Sequence, residues 1–220
     1  DTFKAASSTM KFEIQPREVT ISDVKVADKT YDGTIDAKIT NAGTLSVNYD
    51  GDNLAIVIGK AAYDDKNVGT DKAVSFTGFE LSGSAAGNYK LVAQPASTTA
   101  DITVKEITIN GATVEGSKVY DGTSEAKITN AGTLSDNYDG ENLTIVTGSA
   151  AYDNKNVGTG KNVTFTGFAL AGDAAANYKL IAQPTDTTAD ITVKEITING
   201  AAVEASRIYN GTTDAKIINA

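Results

Sequence analysis

A repeated block is the feature that most constrains how this chain folds. Tyr31-Asp32-Gly33-Thr34 recurs as Tyr120-Asp121-Gly122-Thr123 and, with Asn in place of Asp, as Tyr209-Asn210-Gly211-Thr212, each time after 89 residues. Asn88-Tyr89-Lys90-Leu91 and Asn177-Tyr178-Lys179-Leu180 keep the same spacing. A unit of this size can fold alone, whereas solenoid repeats are shorter and need neighbours to bury their faces. The sequence therefore predicts tandem domains.

The apolar pattern of residues 102–109 predicts where these domains join. Alternate residues of a strand face the same side, and here the apolar positions change from even (Ile102, Val104) to odd (Ile107, Ile109). The first pair is expected to close one core and the second pair to open the next, with no Gly/Ser linker between them. The predicted limits follow: 1–14 as the end of a preceding unit or a divergent segment, 15–105 and 106–194 as full repeats, and 195–220 as the truncated start of a third.

Composition and turn chemistry favour an all-β fold. Residues that suit strands are abundant, and dipeptides such as Asn110-Gly111 and Asp121-Gly122 accept positive φ in tight turns. The predicted fold is a series of immunoglobulin-like β-sandwich domains arranged end to end as a stiff rod. A β-grasp domain, in which a helix crosses the sheet, is the alternative. The strands expected in the second repeat are 106–109, 113–120, 124–129, 143–147, 149–153, 161–170, 177–182 and 188–193, with one helical turn near 174–176.

Residues 74–82 predict a bent strand. Val74, Phe76, Phe79 and Leu81 are retained in the second repeat, while several positions between them differ, so these four side chains are expected to point inward. Their parity changes at Thr77-Gly78, as happens at a β-bulge.

Composition excludes several classes of function. The chain has no His and no Cys, and its net charge is −9. The commonest general base, thiol nucleophile and zinc ligands are therefore missing, and we expect no enzyme activity and no cofactor. Nucleic acids and anionic membranes attract clustered Lys and Arg, so neither is an expected partner. No apolar run approaches a membrane-spanning length, and no membrane insertion is expected.

The signature tyrosines have two interpretations. Tyr31 and Tyr120 could form a stacking platform for a ligand, or could pack in the protein with the hydroxyl bonded to backbone. The packed arrangement is favoured.

An acidic segment of the second repeat is a calcium candidate. Asp136, Asn137, Asp139 and Glu141 offer clustered oxygen atoms of the kind that calcium prefers. Val47 replaces Asp136 in the first repeat, and no EF-hand spacing is present. A solvated acidic turn is the alternative interpretation.

Two further groups of residues have alternative functions. Lys127 or Lys179 could form an intramolecular isopeptide bond, although both are expected to face outward. The polar segments 64–67 and 153–156 could bind sugar hydroxyls, but no neighbouring aromatic residue is present to stack a ring, and a polar loop is the default.

The repeated motifs resemble the YDG-type repeat of filamentous-haemagglutinin-like and other large bacterial surface adhesins. The resemblance rests on the following segments of the second repeat: Lys118-Val119-Tyr120-Asp121-Gly122-Thr123, 128–132, 156–161, 176–180 and 189–193. It implies an exported array, extracellular or on the bacterial surface, with a stalk or adhesive role and no catalytic residues. The signature residues are Tyr31, Asp32, Gly33, Tyr120, Asp121, Gly122, Tyr209 and Gly211.

Two functions stay open at this point. A structural spacer would project a distant binding region from the cell, whereas a multivalent module would bind a host glycan or protein weakly through each repeat. A shared apolar or aromatic surface patch on every repeat would favour binding, and the sequence shows no obvious one. We expect a monomer whose partners are the neighbouring repeats of the same chain.

Overall fold

The structure, a computed structural model, describes residues 10–49, 51–138 and 140–219. It is all-β, with 45% strand and 3% helix, and its sheets are barrel-like. The chain divides into two compact units. The first contains residues 1–108, 134–144 and 170–181, and the second contains residues 109–133, 145–169 and 182–220.

The first repeat forms thirteen strands among its described residues, most of them two to four residues long. They are β1 (Arg17–Val19), β2 (Ile21–Ser22), β3 (Lys25–Val26), β4 (Lys29–Thr30), β5 (Asp36–Ala37), β6 (Ile39–Asn41), β7 (Thr44–Leu45), β8 (Ala55–Val57), β9 (Lys60–Tyr63), β10 (Gly69–Thr77), β11 (Glu80–Ser82), β12 (Tyr89–Leu91) and β13 (Thr98–Thr103).

A five-stranded sheet organises the first unit. Its strand order is β4-β13-β10-β9-β5, and the strand pairs β1–β12, β2–β7, β3–β6 and β8–β11 accompany it. β13 lies parallel to β4 and antiparallel to β10. Val74, Phe76 and Ile102 bury their side chains beneath this sheet, because alternate residues of a strand face the same side.

Gly78 ends the longest strand of the first repeat. Its φ of +71° suits glycine, and the chain there leaves β10, which pairs with β9, and enters β11, which pairs with β8. Phe79 is buried and Leu81 is half-buried, so the predicted change of parity is confirmed. The predicted bent strand is in fact two strands in different sheets.

The second repeat follows with the same succession of elements. Its strands are β14 (Lys105–Ile107), β15 (Ile109–Asn110), β16 (Thr113–Val114), β17 (Ser117–Val119), β18 (Glu125–Ala126), β19 (Ile128–Asn130), β20 (Thr133–Leu134), β21 (Thr144–Val146), β22 (Ser149–Tyr152), β23 (Gly158–Thr166), β24 (Ala169–Ala171), β25 (Tyr178–Leu180) and β26 (Thr187–Thr192).

One residue separates the last strand of the first repeat from the first strand of the second. β13 ends at Thr103 and β14 begins at Lys105, where it pairs in parallel with β25. Ile102 and Ile107 are each 1% exposed, while Val104 between them is half-buried. The predicted change of parity across this junction is confirmed, and the domain limits drawn from it stay a prediction.

The second unit is organised by its own five-stranded sheet. The strand order is β17-β26-β23-β22-β18, with Val163, Phe165 and Ile191 buried. Residues 195–219 of this unit contribute only the antiparallel pair β27 (Ala202–Val203) and β28 (Ile217–Asn219). Ile196 and Tyr209 are 84% and 89% exposed.

The helices in the described ranges are two 3-10 turns, Ala86–Asn88 and Ala175–Asn177. The second lies where one helical turn was predicted. Neither could cross a sheet, so the described part of the chain offers no helix of the kind that a β-grasp domain requires. The predicted strands 113–120, 124–129 and 161–170 are each interrupted, because the chain turns between neighbouring pairings at Glu115–Gly116, Lys127 and Gly167.

Candidate functional site

The signature motif is shaped by a lysine that precedes it. The Lys29 ammonium group donates to Asp32 Oδ1 at 2.7 Å and to the carbonyl oxygen atoms of Thr34 and Asp36 at 2.8 and 3.0 Å. Asp32 Oδ1 also accepts from the Thr34 N–H group at 2.9 Å. Partial burial acts to raise the pKa of Asp32, but the hydrogen bonds from Lys29 and Thr34 outweigh it and lower that pKa.

The same arrangement recurs in the second repeat. Lys118 donates to Asp121 at 3.0 Å, and Asp121 accepts from the Thr123 N–H group at 2.8 Å. The hydrogen bond from the Thr123 N–H group and, to a smaller extent, that from Lys118 lower the pKa of Asp121 to about 2. In the third copy Arg207 donates to Asn210. The sequence analysis did not predict this role of the lysines. The pattern that indicates it is a cationic residue three positions before each of Asp32, Asp121 and Asn210.

Tyr31 is packed within the first unit. It is 1% exposed, and its ring meets the edges or faces of Tyr138 and Tyr178 at centroid distances of 5.9 and 5.4 Å. The hydroxyl group donates to the carboxylate of Glu141 in the second repeat, and not to the backbone as predicted. Gly33 is also covered, since a Cβ atom there would lie 3.3 Å from the Tyr138 ring.

Glu141 is the centre of this cluster. Its side chain is 5% exposed and accepts from the Lys66 ammonium group at 2.8 Å, from the Tyr178 hydroxyl group at 2.6 Å and from the Tyr31 hydroxyl group. Burial acts to raise the pKa of Glu141, but these three hydrogen bonds outweigh it and lower that pKa. Burial and the hydrogen bond to this carboxylate raise the pKa of Tyr178.

Asn177 adds an amide contact beside the carboxylate. Its side chain is 4% exposed. Its Oδ1 atom accepts from the Val68 N–H group at 2.9 Å, and its amide group donates to Asn67 Oδ1 at 3.1 Å. The Asn177 side chain thus uses both its acceptor and its donor on the first repeat, and because it is itself buried, loss of either bond would leave a polar group without a partner.

The cluster therefore joins two surfaces from successive repeats. We call Tyr31, Gly33, Lys66 and Asn67 the signature surface of the first repeat. We call Tyr138, Glu141, Asn177 and Tyr178 the acidic surface of the second repeat. All eight residues belong to the first compact unit, so this junction is an internal part of one packed body.

The predicted calcium ligands take part in separate ion pairs. Asp136 pairs with Lys105 at 2.8 Å, and Glu141 pairs with Lys66. Asp139 lies outside the described residues. In the described part of the chain, no group of three or more acidic side chains is placed to hold a metal ion.

The lysines predicted to face outward are exposed. Lys127 has 73% of its side chain exposed and pairs with Glu115 at 3.8 Å. Lys179 has 61% exposed and pairs with Glu106 at 3.7 Å. Neither is placed in an apolar core beside an Asn, which is what an isopeptide bond would need.

The segments considered for sugar binding are closed turns. Lys72 donates into the first, contacting Asp64 at 3.2 Å and Asp65 at 2.9 Å. Lys161 does the same in the second repeat, contacting Asp153 at 2.7 Å and Asn154 at 2.9 Å. These carboxylate and amide oxygens are thus partly engaged by the protein itself.

The fold and the junction together define a tandem all-β repeat protein. The chain belongs to the YDG domain family, which matches residues 15–100 and 103–189. Searches of curated proteins and of solved structures returned no match. None of the described helices is long and apolar enough to cross a membrane.

Proposed function

We propose that the chain is a set of structural stalk repeats of a bacterial cell-surface adhesin, which project a binding region away from the cell. Each repeat is proposed to be an immunoglobulin-like sandwich. The support for the sandwich is the way the chain leaves one sheet at Gly78 and joins a second pair of strands. The exported location rests on the resemblance of the repeated motifs to large surface adhesins.

The main support for the stalk function is that the signature motif of the first repeat contacts the next repeat. In the first repeat, Tyr31 and Gly33 contact the following repeat. The groove of about 280 Å³ beside Tyr31 is itself lined by Glu141 and Asn177 of that following repeat. A single residue, Val104, lies between the strands on either side of the junction. A short connection together with buried contacts restricts bending, because a spacer is stiff only when its linker has few free residues.

The alternative, a multivalent binding module, finds less support. Each repeat has a shallow groove, of about 360 Å³ beside Ile58 and about 380 Å³ beside Thr147. These two residues occupy equivalent positions, so the groove is apolar there in one repeat and polar in the other. The remaining apolar lining is shared, as Ile39 and Ile128 show, but neither groove contains an aromatic side chain that could stack on a sugar ring.

The stalk function can be tested with spin labels, since the chain contains no native cysteine. Cysteines placed at exposed Lys60 and Lys179 would carry labels on successive repeats within the first unit. Pulsed electron resonance is expected to give one narrow distance distribution. Tyr31→Ala is expected to broaden it, and Tyr209→Ala, a change at an exposed equivalent position, serves as the matched control. A broad distribution in the unsubstituted chain would reject the stiff stalk.

The surface location needs its own measurement. Antibodies raised against the repeats are expected to label intact cells of the source bacterium without permeabilisation. Labelling only after permeabilisation would reject the adhesin assignment. Binding of the purified chain to glycan or host-protein arrays with equal affinity per repeat would favour the alternative function.

A further inference from the structure

Parallel strand pairs join the beginning of each full repeat to its end. In the first repeat β1 lies parallel to β12, and β4 lies parallel to β13. In the second repeat β14 lies parallel to β25, and β17 lies parallel to β26. Each of these pairs connects one of the first four strands of its repeat with one of the last two.

The direction of these pairs decides how they respond to tension along the chain. Tension pulls an early strand towards its own N-terminus and a late strand towards its own C-terminus. In a parallel pair the two pulls are opposed along the strands, so one strand must slide past the other and all the hydrogen bonds between them are strained together. If the two strands were antiparallel, both pulls would act at the same end of the pair, and its bonds would break one after another.

The last strand of the second repeat is bonded to the signature motif in this way. The Tyr120 N–H group donates to the carbonyl oxygen of Thr192 at 2.9 Å, and the Asp190 N–H group donates to that of Gly116 at 2.9 Å. The Thr192 hydroxyl group also donates to the carbonyl oxygen of Lys118 at 3.2 Å. Bonds therefore run in both directions between the early strand and the late one.

The first repeat has the same contact. The Tyr31 N–H group donates to the carbonyl oxygen of Thr103 at 2.8 Å, and the Thr103 hydroxyl group donates to that of Lys29 at 3.3 Å. In both repeats the first residue of the signature motif thus uses its backbone to hold the last strand. This backbone contact lies within one repeat and is separate from the contacts of the Tyr31 ring.

The lysine before the motif anchors the early strand of this pair. β4 and β5 are at opposite ends of the strand order of the first five-stranded sheet, and the Lys29 ammonium group on β4 donates to the carbonyl oxygen of Asp36 on β5 at 3.0 Å. Lys118 on β17 donates to that of Glu125 on β18 at 2.9 Å. Both lysine side chains are 16% exposed. The ammonium group therefore ties a very short strand to the far edge of its own sheet.

We propose that the signature motif and the last strand of each repeat form a mechanical clamp, which resists tension applied along the chain. The clamp consists of β4, β13 and Lys29 in the first repeat and of β17, β26 and Lys118 in the second. The chain contains no Cys, so no disulfide supplies this resistance. The mechanical strength belongs to each repeat by itself, while its use in a stalk that is pulled at both ends rests on the proposed function.

Pulling the full chain in two directions tests the clamp. Handles on the two chain ends strain the clamps by sliding, and unfolding of a full repeat is recognised by a gain in length of about 300 Å, from about 3.4 Å for each residue. Handles on Ser149→Cys and Thr166→Cys, kept reduced until attachment, separate two exposed cross-strand partners of the antiparallel pair β22–β23. Force spectroscopy is expected to show a higher unfolding force from the chain ends. An equal or lower force from the chain ends would overturn the proposal.

Substitutions in the second repeat test which bonds resist the tension. Thr192→Val removes the hydroxyl bond across the clamp and keeps a β-branched side chain. At a fixed force between the chain ends, one of the two repeat-unfolding events is expected to become about fivefold faster, as the loss of one hydrogen bond predicts. Lys118→Met keeps the length of the side chain but removes the anchor, and a larger acceleration is expected.

A matched control separates the clamp from general stability. Thr129→Val removes a hydroxyl contact of 3.0 Å to Thr113 across the antiparallel pair β16–β19. That contact is still intact when the clamp yields, so the unfolding rate under force is expected to stay unchanged. Equal acceleration by Thr129→Val and Thr192→Val would overturn the proposal, as would unchanged rates in both Thr192→Val and Lys118→Met. Labelling of intact cells tests the stalk assignment separately, since its outcome does not alter the force at which a repeat unfolds.

Discussion

Replacing Glu141 by Gln would test the junction between repeats most directly. The substitution keeps the size of the side chain and removes its charge. One amide oxygen and one amide NH₂ group would then face three donors, namely Lys66, Tyr31 and Tyr178. At least one tyrosine hydroxyl group would lose its acceptor.

The size of the effect follows from these contacts. A hydrogen bond to a charged group contributes about 1.5–3 kcal/mol and one between neutral groups about 0.5–1.5 kcal/mol. The Lys66 side chain is 44% exposed and recovers hydration, so its loss is discounted. The hydrogen bonds from Tyr31 and Tyr178 are therefore the ones that count. If each loses about 1 kcal/mol, the free energy that holds the junction closed falls by about 2 kcal/mol.

Hydrogen exchange of the Val68 amide reports this change locally. That N–H group donates to Asn177 across the junction, so it exchanges when the two surfaces separate. A loss of about 2 kcal/mol corresponds to about thirtyfold faster exchange. The Phe79 amide is the internal control, because it also donates to a side-chain amide, that of Gln94 at 2.8 Å, but lies within the first repeat alone.

Two results would refute this reasoning. Unchanged exchange at Val68 in Glu141→Gln would show that the carboxylate does not hold the junction closed. Equal acceleration at Val68 and Phe79 would show that the substitution destabilises the whole repeat. Asp52→Asn provides the matched variant, since the Asp52 carboxylate accepts from Tyr89 within its own repeat, whereas Glu141 also accepts from the preceding repeat, and a smaller effect on Val68 is expected.

The remaining predictions use the same pairs of equivalent residues. The pKa of Glu141 in the folded protein is lowered from 4.5, so the ionised carboxylate stabilises the fold above that pH and this contribution is lost as the pH falls through the lower folded value. Urea unfolding at a series of acidic pH values should show this loss of stability in the unsubstituted chain but not in Glu141→Gln. Gly33→Ala and Gly122→Ala each place a side chain at positive φ, which costs about 1–2 kcal/mol. Thermal unfolding should show a larger loss of stability for Gly33→Ala, because its Cβ atom would also contact the Tyr138 ring. Asn177→Ala should lower the free energy of unfolding by about 1 kcal/mol, since it removes the hydrogen bonds to Val68 and Asn67. Asn88→Ala at the exposed equivalent position should have almost no effect in the same assay.

Local patterns predicted most of the secondary structure. Parity located the inward face of Val74 and Phe76, the break at Gly78 and a change of core near Lys105-Glu106, because side-chain alternation is a property of each strand alone. Short interruptions were missed, as at Lys127, because they depend on which partner strand each segment meets.

The junction itself could not be predicted in this way. Tyr31 and Glu141 are separated by 110 residues, and no local pattern connects them. The acidic residues around Glu141 suggested a calcium site because they are neighbours in sequence, yet Asp136 and Glu141 pair with different lysines. Comparison of the two repeats offered a signal for the importance of Glu141. Its equivalent in the first repeat, Asp52, also has a carboxylate, whereas the equivalent of Asp136 is Val47.

Every full repeat carries both an acidic surface and a signature surface. A gene of this kind can therefore gain or lose one unit by recombination between near-identical copies, and each remaining neighbour still meets a matching surface. The addition or removal of one whole repeat would then need no compensating substitution at Glu141 or Tyr31. A repeat that lost either surface would no longer pack on one of its neighbours. The chain would then bend at that connection.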